Sequence, residues 1–265
     1  MPASYPRYRA VVATDPTDRF TELVAQPAGF ALDEACVLVA AHARPGLDVE
    51  AELARLDELA AGFPGGGAVD LGRHLCHGLG FAGDRTSYHD PRNSLLPDVL
   101  DRRLGIPISL AILAMEVGRR VGVPVDGIGM PGHFLVRDGR GEGPYLDLFA
   151  GARELDREAC RSVFAQLHPR AAWSDAYLEP VGPHAIVARV LANLANAYRR
   201  SGDRPDLAWS LALRLALPGP APRERRELAV LLGSLGRFAE GADVLEGTGD
   251  ADDRVAAQRL RARLN

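Results

Sequence analysis

Ser109, His133 and Asp147 occur in that order within "RRLGIPISLAILAMEVGRRVGVPVDGIGMPGHFLVRDGRGEGPYLDLF", residues 102–149. A hydroxyl, an imidazole and a carboxylate are the parts of an acyl-transfer relay: a nucleophile, its general base and the group that orients the base. Ser109 follows Pro107 by two residues, in the first turn of a predicted helix, where free N–H groups and the helix dipole favour negative charge. That field suits a thiol, whose reference pKa of about 8.5 can fall below neutrality in such a place. A serine hydroxyl starts several units higher and stays protonated, so Ser109 can act as a nucleophile only with His133 as base and Asp147 behind it. The same serine is also a common helix-start cap or packing residue, and His133 an ordinary satisfied histidine. Both readings stand on these residues alone.

These side chains need elements to hold them. "VPVDGIGM", "HFLVRD" and "YLDLF" are short, partly β-branched or aromatic and separated by Gly and Pro, which predicts an antiparallel meander with "DGRGEG" as its last turn. His133 and Asp147 then flank one hairpin, within one or two residues of opposition. Pro107 in a first-turn position predicts a helix running to about Val121. Residues 16–61 read as helices, and Val69 to Leu79 as another. Ser94 is expected to cap a short helix ending near Leu104-Gly105, and from Asp156 the chain turns helical again.

Asp90, Arg92 and Asn93, in "DPRNS" just before the nucleophile helix, are candidate cleft or substrate contacts, with Asn93 the best placed. Asp and Asn also make side-chain turns with their own backbone, so these residues equally serve to shape the loop. Arg102 and Arg103 can hold carboxylates near the helix start or simply face solvent. His74, Cys76 and His77 invite a metal reading, but Cys76 points away from a face shared by the two histidines and no second ligand cluster follows, so no metal site is expected.

The last third repeats itself. Gly202 and Gly236 each close an apolar helix and lie 34 residues apart, the tetratricopeptide period, with Leu194, Ala195 and Tyr198 in the usual places. Ala208 falls one position late and Gly241 stands where a small alanine is normal. Two helical pairs and a terminal helix are expected over residues 184–265, after a first domain over residues 1–183.

The chain of 265 residues is 47% hydrophobic and 25% charged, ordinary for a globular protein, with a formal charge of -4. No one-sign basic face offers a nucleic-acid partner. All 31 Lys-plus-Arg residues are Arg, which excludes a P-loop lysine, a Schiff-base lysine and a Ser-Lys dyad. No run of about 18 apolar residues predicts a membrane span, and no secretory h-region begins the chain. Cys36, Cys76 and Cys160, odd in number and widely spaced, read as reduced buried thiols, and the expected location is cytoplasmic.

From about Leu32 onward, and most specifically in "DPRNS", "RRLGIPISL" and "PGHFLVR", the sequence resembles the bacterial SirB-type family, in which a transglutaminase-like domain precedes tetratricopeptide-like repeats. The resemblance implies an α+β fold: a helical, papain-like domain with a small antiparallel sheet, then all-α repeats. In the wider superfamily a helix-start Cys, a strand His and a following-strand Asp form the triad, and by position these correspond to Ser109, His133 and Asp147. Serine in place of the thiol removes thioester chemistry. The expected function is a peptide- or protein-binding, regulatory module with a degenerate cleft and no cofactor; the alternative is an amide or ester hydrolase, or acyl transferase, using Ser109, His133 and Asp147.

Overall fold

Asp15 accepts the Thr17 N–H at 2.7 Å and Pro16 occupies the first turn, which starts α1 (Pro16–Val24). α2 (Leu32–Ala43) is apolar around its circumference and is buried from Ala35 to Ala41, whereas α3 (Val49–Ala61), capped by Asp48, turns only Leu53, Leu56 and Ala60 fully inward with the stem of Glu52. The computed structural model describes residues 15–26, 29–219, 221–246 and 248–264.

α4 (Ala68–Arg73) continues into a π-helical turn, His74–Gly78, and the chain then forms β1 (Ala82–Gly83). α5 (Leu96–Arg102) differs from expectation at both ends. Its first turn is set by Pro97 without a side-chain cap, and Ser94 instead ends a 3-10 turn, Pro91–Asn93, capped by Asp90. At its other end Arg103 takes a left-handed φ of 55° and donates Nη1 to the Leu79 carbonyl at 2.7 Å. That turn releases Leu104–Gly105 from the helix to form β2, parallel to β1.

α6 (Pro107–Val121) is the central helix, with Ile108 and the run Leu110 to Ala114 almost wholly inaccessible. The sheet beside it has the order β3 (Val125–Ile128), β4 (Leu135–Asp138), β5 (Tyr145–Asp147), β6 (Arg153–Leu155), antiparallel throughout. The three expected strands are present; β6 is an addition, because "ARELDRE" is too short and too charged to carry a strand pattern. α7 (Arg157–Leu167), capped by Asp156, covers the sheet through Cys160 and Phe164.

α8 (Pro183–Ser201) and α9 (Arg204–Leu215) form a helix hairpin; α10 (Pro222–Ser234), α11 (Phe238–Leu245) and α12 (Ala251–Arg261) follow. The architecture is thus mostly helical with small sheets, an α+β arrangement. One core runs through both parts: Leu38, Leu56 and Leu113 share a hydrophobic cluster with Val190, Leu194 and Leu211. A smaller cluster joins Ala229, Ala242, Leu245 and Ala257. No helix among the described residues is long and apolar enough to cross a membrane.

A buried ionic cluster joins α2 to α6. Arg120 bridges Asp33 at 2.6 Å and Glu116 at 3.1 Å, and Arg119 reaches Glu116 at 2.8 Å. Burial, and then the negative charge of Asp33, push the Glu116 carboxyl up to about 7 against the pull of both arginines.

Candidate functional site

Ser109 is the third residue of α6 and 2% exposed. Its Oγ accepts the Ile106 N–H at 3.0 Å, relieving one of the free donors at the helix start. The hydroxyl carries one hydrogen, and its shortest acceptor is the Asn93 carbonyl at 2.6 Å, with the Ile106 carbonyl at 3.1 Å. All three partners are backbone; none is His133. Gly105 closes over the same atom, since a Cβ there would lie 2.7 Å from Ser109 Oγ.

The Asn93 carbonyl is fixed by a network that sequence reasoning only half anticipated. Asn93 is fully buried, and its amide nitrogen donates to the Ser87 carbonyl at 2.7 Å and to Asp84 Oδ2 at 3.2 Å. Arg102 closes the triangle, donating to Asn93 Oδ1 at 2.9 Å and to Asp84 Oδ2 at 3.1 Å. Asp84 also accepts the Ser87 and Thr86 N–H groups; the Ser87 bond, opposed by burial and helped by Asn93 and Arg102, holds its carboxyl below the usual range. Asp90 accepts its own loop's Arg92 N–H at 2.9 Å and pairs with the Arg92 side chain at 2.6 Å. Asn93, Asp90 and Arg92 therefore shape the loop in front of α6. Asp84 was missed because a lone aspartate in a polar loop gives no sign of its partners far along the chain.

His133 precedes β4 rather than lying in it. Gly132, with φ at 76°, turns the chain into it, and a Cβ at Gly132 would meet the His168 ring at 2.6 Å. Val136 pairs with Leu146, which sets Asp147 opposite Leu135, two residues from His133. His133 Nε2 lies 3.1 Å from Asp147 Oδ2, close enough for an ion pair but without a well-aligned hydrogen bond on Nε2. Burial raises the Asp147 carboxyl, but the His133 contact, the Ala150 N–H at 3.1 Å and Arg153 at 3.4 Å outweigh it and leave the group below the usual range. Phe149 stands edge-on to His133 and to Tyr88, with ring centroids 6.4 and 5.8 Å away. Its ring packs directly on Gly83, where no side chain would fit.

The His74, Cys76 and His77 group is divided among other tasks. His74 packs on Phe63, Cys76 Sγ donates to the Leu148 carbonyl at 3.6 Å and His77 is exposed. Among the described residues no group of three or more His, Cys, Asp and Glu side chains is placed to hold a metal.

The segment that holds Ser109, His133 and Asp147 lies within residues 47–192, which match the model of the transglutaminase-like superfamily. The chain belongs to the transglutaminase-like superfamily. Within it, the UPF0162 protein of Xylella fastidiosa (strain Temecula1) is 40% identical over 169 residues, 61% of this chain and 60% of that protein. The UPF0162 protein of Pseudomonas aeruginosa is 34% identical over 201 residues, covering 72% of this chain and 73% of its own length. This transglutaminase-like chain thus spans about 60% of the length of its Xylella relative. F-box only protein 21 of Mus musculus is 33% identical over 133 residues, 47% of this chain but 20% of that protein. No solved structure matches the chain.

Proposed function

We propose that this transglutaminase-like chain is a peptide-binding module with a regulatory role, its nucleophile position converted into a structural fastening. One observation carries the reading: the hydrogen-bond partners of Ser109 Oγ are backbone groups, with the Asn93 carbonyl at 2.6 Å and the Ile106 carbonyl at 3.1 Å as its acceptors, and no imidazole is among them. A serine at the start of a helix gains reactivity only from a base that takes its proton, and backbone carbonyls cannot do so. The surface that remains around His133, built from Phe149 and Tyr88, is aromatic and suits an extended chain. In F-box only protein 21 the related segment is a fifth of a much longer protein, which supports its use as a module.

The helix hairpins over residues 184–265 are read as tetratricopeptide-like repeats of a SirB-type protein, offering a second, concave surface to a protein partner. The division at residues 183 and 184 belongs to the same reading, supported by α8 beginning at Pro183.

The second reading, a serine hydrolase or acyl transferase, has its own support in the 3.1 Å contact between His133 and Asp147. A fluorophosphonate probe separates the two. The binding reading predicts no labelling of native protein above that of a Ser109→Ala variant; labelling that this substitution abolishes overturns it.

A further inference from the structure

Arg189 is a largely buried cation held by backbone carbonyls rather than by a carboxylate. It rises from α8 into the back of the His133 loop, donating Nη1 to the Met130 carbonyl at 3.1 Å and Nη2 to the His133 carbonyl at 2.7 Å, with its guanidinium 5.3 Å from the Phe134 ring centroid. Among the described residues no carboxylate comes within ion-pairing distance of it. The acidic group that bears on it electrostatically is the Tyr88 phenol, neutral at ordinary pH. Burial holds Arg189 below its usual pKa, whereas Arg119 and Arg120, also partly buried but paired with Glu116 and Asp33, stand above theirs. A guanidinium has five N–H donors in a planar fork, and Arg189 gives one N–H from each of its two terminal nitrogens to a neutral carbonyl, which leaves three. Arg85, another arginine with no carboxylate in ion-pairing distance among the described residues, lies 5.1 Å from the Phe149 ring centroid, on the exposed loop that also carries Tyr88. Arg189 thus holds the backbone of the His133 loop and Arg85 covers the Phe149 ring that stands edge-on to the His133 imidazole, and neither guanidinium has a carboxylate partner among the described residues.

We infer that Arg189 and Arg85 form a carboxylate-binding subsite beside His133, filled by a carboxylate of a peptide whose chain crosses Phe149 and Tyr88. This rests on the peptide-binding reading above and deepens it, because it states what chemistry the peptide must carry. Arg–carboxylate pairing supplies charge-assisted, directional hydrogen bonds, and a partly desolvated guanidinium makes them stronger than an exposed one does. The carboxylate can come from a chain terminus or from an acidic side chain; the geometry requires only the group.

The test uses three small probes on the full chain: N-acetyl-glycyl-glycine as the free acid, the same compound as its amide, and N-acetyl-glutamate α-amide. Nuclear magnetic resonance follows the Arg189 Nε–H and the His133 ring. Saturable shifts of both signals with the free acid, and none with the amide, are the expected result; the third probe tells whether a side-chain carboxylate serves as well as a terminal one. Arg85→Ala, at an exposed position, is expected to weaken the free acid roughly threefold or more, and Arg189→Gln roughly tenfold or more, as befits hydrogen bonds to a charged group. Equal shifts from acid and amide, no shifts from either acid up to saturation of solubility, or affinity unchanged in Arg85→Ala with the Arg189 signal unmoved, overturn the subsite. Such failure together with an unlabelled Ser109 leaves the peptide-binding reading standing; labelling at Ser109 removes that reading by a separate route.

Discussion

Ser109 Oγ lies 2.6 Å from the Asn93 carbonyl, and the bond ties the first turn of α6 to the loop that Asp84 and Arg102 hold in place. This fastening joins two segments whose side chains are candidates for chemistry, and it accounts for Ser109 without chemistry. Removing the hydroxyl leaves the buried Asn93 carbonyl and Ile106 N–H without their partner. Ser109→Ala should therefore cost about 1–3 kcal/mol in urea unfolding. Gly105→Ala should also destabilise, by about 1–3 kcal/mol, because its Cβ would press on Ser109 Oγ. Part of that loss should return in the double variant, where the pressed atom is gone. Strictly additive losses would place the strain elsewhere.

The Asp33, Glu116, Arg119 and Arg120 cluster gives a pH signature. Glu116 is raised from 4.5 to about 7, so between those values the folded chain holds a proton that the unfolded chain has released. Stability is then greatest at the acid end of that window and declines as pH rises through it, by on the order of 1–3 kcal/mol. Glu116→Gln, which cannot titrate, should flatten this decline. Parallel stability curves for the two proteins from pH 4.5 to 7.5 would contradict the assignment.

Much of this architecture was legible in the sequence. The Pro107 helix start, the three strands from Val125 to Asp147 and the change to long helices after Pro183 follow from proline placement and apolar period. The rest depends on partners distant along the chain. β1 and β2 are two residues each and carry no periodic signal, and they exist because Arg103 turns out of α5. At the site, the types and order of Ser109, His133 and Asp147 were visible, as was the local role of Asp90. The backbone partners of Ser109 were not, because a hydroxyl's acceptors are set by tertiary approach. Arg189 was hidden among the apolar residues of α8, where an arginine reads as a solvated face.

The shared core makes a further prediction for residues 184–265. Ile186, Val187, Val190, Leu191 and Leu194 bury against the first part of the chain, leaving the separate cluster of Ala229, Ala242, Leu245 and Ala257 as the only core the segment keeps wholly to itself among the described residues. Separation exposes the face of α8 that this shared core covers, and the apolar burial lost there weighs against the chain entropy of the segment. The isolated fragment should show weak helicity by circular dichroism and a broad, non-cooperative melt. A sharp transition with full helicity would mean that it folds alone.

The most direct measurement of the central claim, that position 109 is a fastening and not a nucleophile, is the alkylation rate of Ser109→Cys with iodoacetamide from pH 5.5 to 8.5. The native thiols give a quiet background: burial, with nearby carboxylates adding to it, pushes Cys76 and Cys160 up to about 11 and Cys36 higher still. The account predicts a shielded thiol, reacting slowly at pH 6, no faster than the protein opens, and equally slowly when His133→Ala is added. Rapid alkylation at pH 6 that His133→Ala abolishes would show a thiolate held by an imidazolium. That result would restore a working catalytic field at residue 109 and contradict the account.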